Sequence, residues 1–205
     1  MGMSHSLMDI KKKVILASGS PRRRELLTEA GITFVIDVSD VDETVEGLPA
    51  EMVAVLAERK ARAVAEKYDE GLVIGSDTLV ALDDCALGKP EDDDDARRML
   101  KNLSGRTHDV LTGVCLIDAK TGKTLVSTVR SGVVFREVTD EEIEEYIATG
   151  EPRDKAGAYA IQQRGSLFVE RIEGDFYNVV GLPLERVDAL MQSTFGVGLA
   201  RLADA

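Results

Sequence analysis

The run Ile15-Leu16-Ala17-Ser18-Gly19-Ser20-Pro21-Arg22-Arg23-Arg24-Glu25-Leu26-Leu27 constrains this chain more than any other stretch. It reads as a buried strand, a tight Ser/Gly turn and a helix opening on proline. Ser20 is a good N-cap, and Pro21 fits the first helical position, where a missing N–H costs nothing. The helix start also concentrates positive charge, since arginines add fixed charge and forked donors to a terminus whose backbone N–H groups already attract anions. Two readings stand at this point: a site for a phosphate-bearing ligand, or an ordinary helix start with solvated arginines.

The second reading has to contend with the charge of the whole chain, which is -12 over 205 residues. That acidic balance argues against nucleic-acid or anionic-membrane partners, which call for basic excess. It leaves room for a nucleotide held in a local basic pocket. Cys85 and Cys115, far apart and without CxxC spacing, read as buried thiols of a reducing compartment. No run of about 18 apolar residues is present, so no membrane span is expected, and Met1 to Lys13 lacks the apolar core of a signal peptide; with the reduced thiols this makes a cytoplasmic location the expectation. Residues 1–12 read as a disordered leader, 13–195 as one catalytic domain of two lobes, and 196–205 as a frayed tail.

Along the chain, strands are expected over Lys13 to Ser18, Ile32 to Val38, Leu72 to Ser76, Val110 to Asp118 and Thr124 to Val138, the last two joined at Thr121-Gly122. Helices are expected from Pro21 to Ala30, from Pro49 to about Tyr68, after the acidic run Glu91 to Asp95, from the Thr139/Glu142 capping box to about Thr149, and from Pro183 to about Phe195. The acidic run reads as a macrodipole-favoured, solvated helix start. Ala158 to Gln162, Ser166 to Ile172 and Asn178 to Val180 read as extended. The mixture without strict βαβ alternation predicts an α/β fold with a mixed sheet.

Asp77 is read at the C-terminal end of its apolar strand, where open α/β sheets place functional groups. A carboxylate there can accept a proton from water or hold a metal; the alternative is a turn-forming Asp. Lys60 falls in phase with the apolar face of its helix, either snorkelling at the edge of the core or pointing into a site. Ser18, Ser20, Arg22 and Arg23 can contact phosphates, Lys60 and Lys89 supply cations, and Asp42, Glu43 and Asp77 supply hard oxygen donors. Magnesium prefers few carboxylates with substrate phosphates and waters, so this inventory suits a magnesium-triphosphate complex. Neither GxxxxGK[ST] nor GxGxxG is present, so the machinery differs from the common nucleotide loops. His108 has no evident catalytic partner and is read as capping the turn after Ser104-Gly105.

Six pieces then occur in order: Ala17 to Arg23, Ser76-Asp77-Thr78, Gly88-Lys89-Pro90, Leu103-Ser104-Gly105, Asp154 to Tyr159, and Val180 to Leu184. Together they resemble the Maf family of nucleoside triphosphate pyrophosphatases from about residue 13 to 195. The resemblance implies a fold like that of inosine triphosphate pyrophosphatase, with an elongated mixed sheet, flanking helices, two lobes and a central cleft. It implies cleavage between the α- and β-phosphates to give nucleoside monophosphate and pyrophosphate, a divalent cation (Mg²⁺, Mn²⁺ or Co²⁺) and a homodimer. Asp77 matches the family's proton acceptor, and Ser18, Arg23, Lys60 and Lys89 match polar residues around the triphosphate. Asp42 or Glu43 matches the acidic position that helps hold the metal.

Arg22, Thr78 and Gln162 match the positions that mark the branch acting on dTTP and UTP, and a Gln amide can offer donor and acceptor to a uracil or thymine edge. Gln163 stands where the family commonly has Gly, a departure that bears on the base pocket if the backbone there needs an unusual angle. The alternatives are a nucleotide-binding regulator of septum formation, and a pyrophosphatase of 7-methyl-GTP or ITP.

Overall fold

The computed structural model describes residues 13–202, so the expected leader lies outside the described residues. The strand of the opening motif, β1 (Val14–Ala17), is buried along its whole length. It lies parallel to β2 (Val35–Ile36) on one side and to β3 (Leu72–Leu82) on the other. The remaining pairings are antiparallel: β3 with β5 (Thr107–Asp118), β5 with β6 (Thr124–Phe135), and β6 with β7 (Val169–Glu173). The short β4 (Cys85–Leu87) folds back on the end of β3 through Asp83 and Asp84. Both residues have positive φ, 52° and 60°, as a two-residue hairpin loop requires. The result is one mixed seven-stranded sheet in the order β2-β1-β3-β5-β6-β7, with β4 paired beside β3.

Helices cover both faces. On one face lies α2 (Pro49–Ala65), which buries Ala57, Ala61 and Val64 against Ile15, Val73 and Cys115. On the other lie α1 (Pro21–Glu29), α3 (Asp93–Leu103), α4 (Asp140–Ala148), α5 (Phe176–Val180) and α6 (Leu184–Phe195). Their apolar stripes share one continuous core with Leu16, Ile74, Val114 and Phe135. Local signals fix several helix starts. Asp92 caps α3 by accepting from the Asp95 N–H at 2.8 Å. Asp94 and Asp95 pair with Arg97 and Arg98, so the acidic run is a capped and solvated helix start as its composition predicts. The Thr139/Glu142 capping box at α4 is complete.

Helix and sheet backbones come very close where α2 crosses the strands. A Cβ placed on Gly75 in β3 would sit 2.4 Å from the Ala57 carbonyl oxygen. One on Gly113 in β5 would sit 2.1 Å from the Val53 carbonyl oxygen. No side chain fits at such distances, so these two glycines let the helix backbone rest directly on the strands.

Several expectations are corrected. The strand expected over Leu72 to Ser76 and the extended stretch expected over Leu79 to Leu82 form one unbroken strand, which puts Asp77 in mid-strand. β2 keeps only two residues of the apolar run Ile32 to Val38. Asn178 to Val180 is helical within α5, because the Asp175 carboxylate accepts from the Tyr177 N–H at 2.7 Å and starts a turn that the valines do not announce. Ala158 closes the 3₁₀ turn Ala156–Ala158, and Ser166 lies in the 3₁₀ turn Arg164–Phe168 that precedes β7. Cys115 is buried, but Cys85 is exposed on the short β4. Val197 and Leu199 are buried in the core, so the described part of the expected tail is docked rather than frayed.

Substituting Gly113→Ala forces α2 off the sheet, and its expected cost is about 3 kcal/mol of unfolding free energy. Urea unfolding of the purified variant checks this. Wild-type stability in Gly113→Ala would contradict the packing described.

Candidate active site

β1 and β3 run side by side only as far as the Ala17–Gly75 pair, and β4 joins β3 only at Val80. Between these points Ser76 to Leu79 has β5 on one side and no strand on the other. The edge opened there is where the expected site residues gather. Ser18 and Arg23 follow directly from the end of β1, and Asp77 and Thr78 belong to the open stretch itself.

Strand alternation sends Asp77 and Thr78 to opposite faces. Asp77 lies on the α2 face, where its Oδ1 accepts from the Lys60 ammonium at 2.7 Å. Lys60 also pairs with Glu43 Oε1 at 3.0 Å. The Lys60 and Asp77 side chains are only 13% and 15% exposed, so the pair is shielded from solvent and strongly felt. Lys60 therefore points into the site and is more than a core-edge lysine. Asp42 instead serves its own turn. Its Oδ1 accepts from the Thr44 N–H at 2.8 Å, and that bond holds its carboxyl below the usual range.

Thr78 faces the other way, into a polar chain. The buried Arg23 guanidinium donates from Nε to Gly181 O at 2.8 Å, from one terminal nitrogen to Ser18 Oγ at 2.9 Å and from the other to Thr78 Oγ1 at 3.0 Å. Thr78 and Thr112 hydroxyls lie 2.9 Å apart, and Thr112 donates to the Asn178 carbonyl at 2.9 Å. Because Thr112 spends its proton on Asn178, the Thr78 proton points to Thr112. Burial lowers the Arg23 pKa to about 10, opposed by the nearby Asp77 and Glu43 charges. Three of its five N–H donors are used internally, which leaves two for an anion.

This chain of bonds floors a cleft of about 810 Å³. Its walls include Ser20, Arg22, Lys89, Tyr159, Gln162 and Gln163. Ser20 occupies the N-cap position of α1 but makes no side-chain capping bond. Lys155 also lines the cleft and pairs with Asp154; it belongs to the Asp154 to Tyr159 motif, yet nothing in the sequence around it marks it as a cleft residue. Gln163 has φ −122°, an extended conformation open to any residue, so Gln replaces Gly here without backbone strain. Ala158 is the strained position: it holds φ 62° while fully buried, just before Tyr159.

His108 is not a turn cap. It is buried, its Nε2 lies 2.8 Å from the Tyr159 hydroxyl, and its ring meets Phe135 and Tyr159 edge to face. It supports the Tyr159 wall of the cleft from behind. The turn after Ser104-Gly105 is held by Ser104 itself, whose Oγ accepts from the Val138 N–H at 2.8 Å.

A family model described as Maf-like protein matches residues 13–194, a span that holds every residue of this site. The chain belongs to the Maf family. A Moorella thermoacetica protein named dTTP/UTP pyrophosphatase is 53% identical over 187 residues, covering 90% of this chain and 96% of that protein. Proteins of the same name from Bacillus cytotoxicus and Dictyoglomus turgidum are 52% and 49% identical, covering 86% and 93% of this chain and 92% and 100% of their own lengths. Within this Maf chain, five of the six motif pieces reach the open edge of β3 or the cleft, while Leu103-Ser104-Gly105 ends α3 and is bonded to Val138 and Arg136.

Among the described residues no three His, Cys, Asp or Glu side chains are grouped to hold a metal. Glu43 and Asp77, both drawn to Lys60, offer a pair of hard oxygen donors, which fits a cation that takes its other ligands from phosphates and water. Among the described residues no helix is long and apolar enough to cross a membrane.

Burial pushes the His108 pKa down to about 4 from 6.5. The unfolded chain therefore binds a proton that the folded chain refuses, and stability is lost as pH falls from about 6.5 through about 4. The expected loss from this group is on the order of 3 kcal/mol across that window. Urea unfolding at pH 7 and pH 4 should show a smaller loss in His108→Phe; an equal loss would contradict the assignment.

Proposed function

We propose that this Maf protein hydrolyses the α–β phosphoanhydride of dTTP and UTP, giving nucleoside monophosphate and pyrophosphate. The observation that carries this reading is the open edge of β3. It places a carboxylate paired to a lysine on one face and a cleft lined by Arg22, Thr78 and Gln162 on the other. The relatives' shared name supports the choice of substrates.

In this reading the base lies in the cleft, with Gln162 presenting its amide to the pyrimidine edge and Arg22 near the sugar-phosphate end. Thr78 offers the base end a hydroxyl oxygen, its own proton being engaged with Thr112. Lys89 is exposed in the cleft and available to meet phosphate oxygens. The triphosphate passes over the open edge, where Ser18, Ser20 and the two remaining Arg23 donors bind it. Ser18 accepts from Arg23, which leaves its hydroxyl proton for a phosphate oxygen.

On the far face, Asp77 accepts the proton of the attacking water. Its Oδ1 is held by Lys60, which fixes the carboxylate's orientation and leaves Oδ2 for the water. Lys60 also adds positive charge beside the phosphates. Glu43 and Asp77 are the residues that would hold a divalent cation; Asp42, committed to its own turn, is not. Such a cation, when bound, neutralises charge on the triphosphate. We place the protein in the cytoplasm as a homodimer acting on a free nucleotide.

Replacing Asp77 with Asn keeps the shape and removes the base. Pyrophosphate release from dTTP should fall by roughly 10²-fold or more, with dTTP still bound. Release at close to the wild-type rate would show that another group activates the water.

A further inference from the structure

Gln162 sits in a turn between two 3₁₀ segments and has no strand pairing to hold it. The loop's own backbone bonds are few: Gln163 N–H reaches Ala160 O at 3.4 Å, and Ser166 N–H reaches Gln163 O at 3.0 Å. A loop so weakly tied to itself has to be fixed from outside if one of its side chains is to read a ligand.

Two side chains behind the cleft do this. Tyr146 of α4 accepts the Ala160 N–H on its hydroxyl oxygen at 3.2 Å and donates its proton to Glu151 Oε1 at 2.8 Å. Glu151 in turn accepts the Gly165 N–H on Oε1 at 3.1 Å and the Arg164 N–H on Oε2 at 3.2 Å. Both ends of the segment that carries Gln162 are therefore bound to one tyrosine–carboxylate pair. Tyr146 is itself fixed, since it is buried and its ring packs edge to face on Phe168 at 5.0 Å. The fit is close at Gly165, where a Cβ would lie 2.8 Å from both the Tyr146 hydroxyl and the Ala160 carbonyl oxygen. Neither Tyr146 nor Glu151 lines the cleft, so neither can touch a bound nucleotide directly.

We propose that Tyr146 and Glu151 are positioning residues for nucleotide recognition, acting through the 160–165 loop to hold Gln162 against the base. This rests on the reading of Gln162 as the side chain that meets the pyrimidine. Chemistry at the open edge of β3 is thereby separated from base selection, which falls to a loop held by a clamp on the opposite side of the cleft wall. Loss of the clamp is therefore expected to weaken binding and discrimination while leaving the hydrolytic step intact. A tyrosine and a glutamate that served only the core would affect both together, or neither.

The test uses Tyr146→Phe and Glu151→Gln, singly and each combined with Gln162→Ala. Tyr146→Phe keeps the ring in its packing. Glu151→Gln keeps the length of the side chain but turns an amide N–H₂ against a backbone N–H. Each single variant should raise KM for dTTP roughly tenfold, the scale of one broken hydrogen bond to a charged group, with kcat within about twofold. Each should also lower the preference for dTTP over ITP. In the Gln162→Ala background the same changes should add little further to KM, because the clamp acts through that side chain.

A fall in kcat at unchanged KM, or a full further loss in the Gln162→Ala background, would overturn the proposal. So would an effect of Gln162→Ala on KM with none from either clamp variant, and in that case the reading of Gln162 survives. If Gln162→Ala itself leaves KM and preference unchanged, that reading fails and the clamp's role falls with it.

Discussion

The contact that the rest of the molecule depends on is the seat of α2 on the sheet at Gly75 and Gly113. Helix–sheet packing normally interposes side chains. Here the helix backbone comes so near that a single methyl group on either strand would collide with a carbonyl. Gly113 lies directly opposite Asp77 in the β3–β5 ladder, and Gly75 lies two residues before it. The bare strands therefore set how close Lys60 comes to Asp77, and the 2.7 Å ion pair follows from that spacing. Two glycines with no chemistry of their own thus determine the electrostatics of the site.

A second constraint is topological. A carboxylate in the middle of a continuous eleven-residue strand would ordinarily be covered by neighbours on both sides. β1 turns away after Ala17 and β4 arrives only at Val80, which frees one edge of β3 in between. The turn that carries β1 away is the Ser/Gly turn of the opening motif, and the arginines that follow it come back to the same edge. Arg23 bridges the two faces: it bonds to Thr78 on the cleft side while lying within the field of Asp77 and Glu43. Arg22 lines the cleft. One short segment thus lends positive charge to both halves of the site.

The sequence is most readable where the cause is local. Pro21, Pro49 and the Thr139/Glu142 box mark helix starts, and each of those helices begins within a residue of its mark. The apolar stretches β1 and β5 read as strands because burial and β-branched content agree there. It is least readable where a distant partner decides. Asn178-Val179-Val180 has strand-like residues but is helical, with the Asn178 side chain bonded to Val110 O at 3.0 Å and Ser131 Oγ at 2.9 Å from other strands. Ser76-Asp77-Thr78 looks like a break that ends a strand at Asp77, whereas the pairing with β5 carries the strand through it. The Tyr159 that His108 meets lies 51 residues away, and Glu151 acts on a loop 13 or 14 residues further along, so nothing in the local pattern announces either. That Glu43 rather than Asp42 pairs with Lys60 likewise depends on where α2 lies, which adjacency in sequence does not provide.

The central claim is that the cleft on one side of β3, with the Gln162 loop in its wall, selects a pyrimidine nucleotide while Asp77 on the other face supplies the hydrolytic carboxylate. Its most direct test is a panel of dTTP, UTP, ITP and 7-methyl-GTP offered to the purified protein with Mg²⁺, with monophosphate and pyrophosphate measured for each. Equimolar monophosphate and pyrophosphate are expected from dTTP and UTP, with kcat/KM for ITP and 7-methyl-GTP lower by roughly tenfold or more. Equal or better turnover of either purine nucleotide, or binding of dTTP without product, would contradict it.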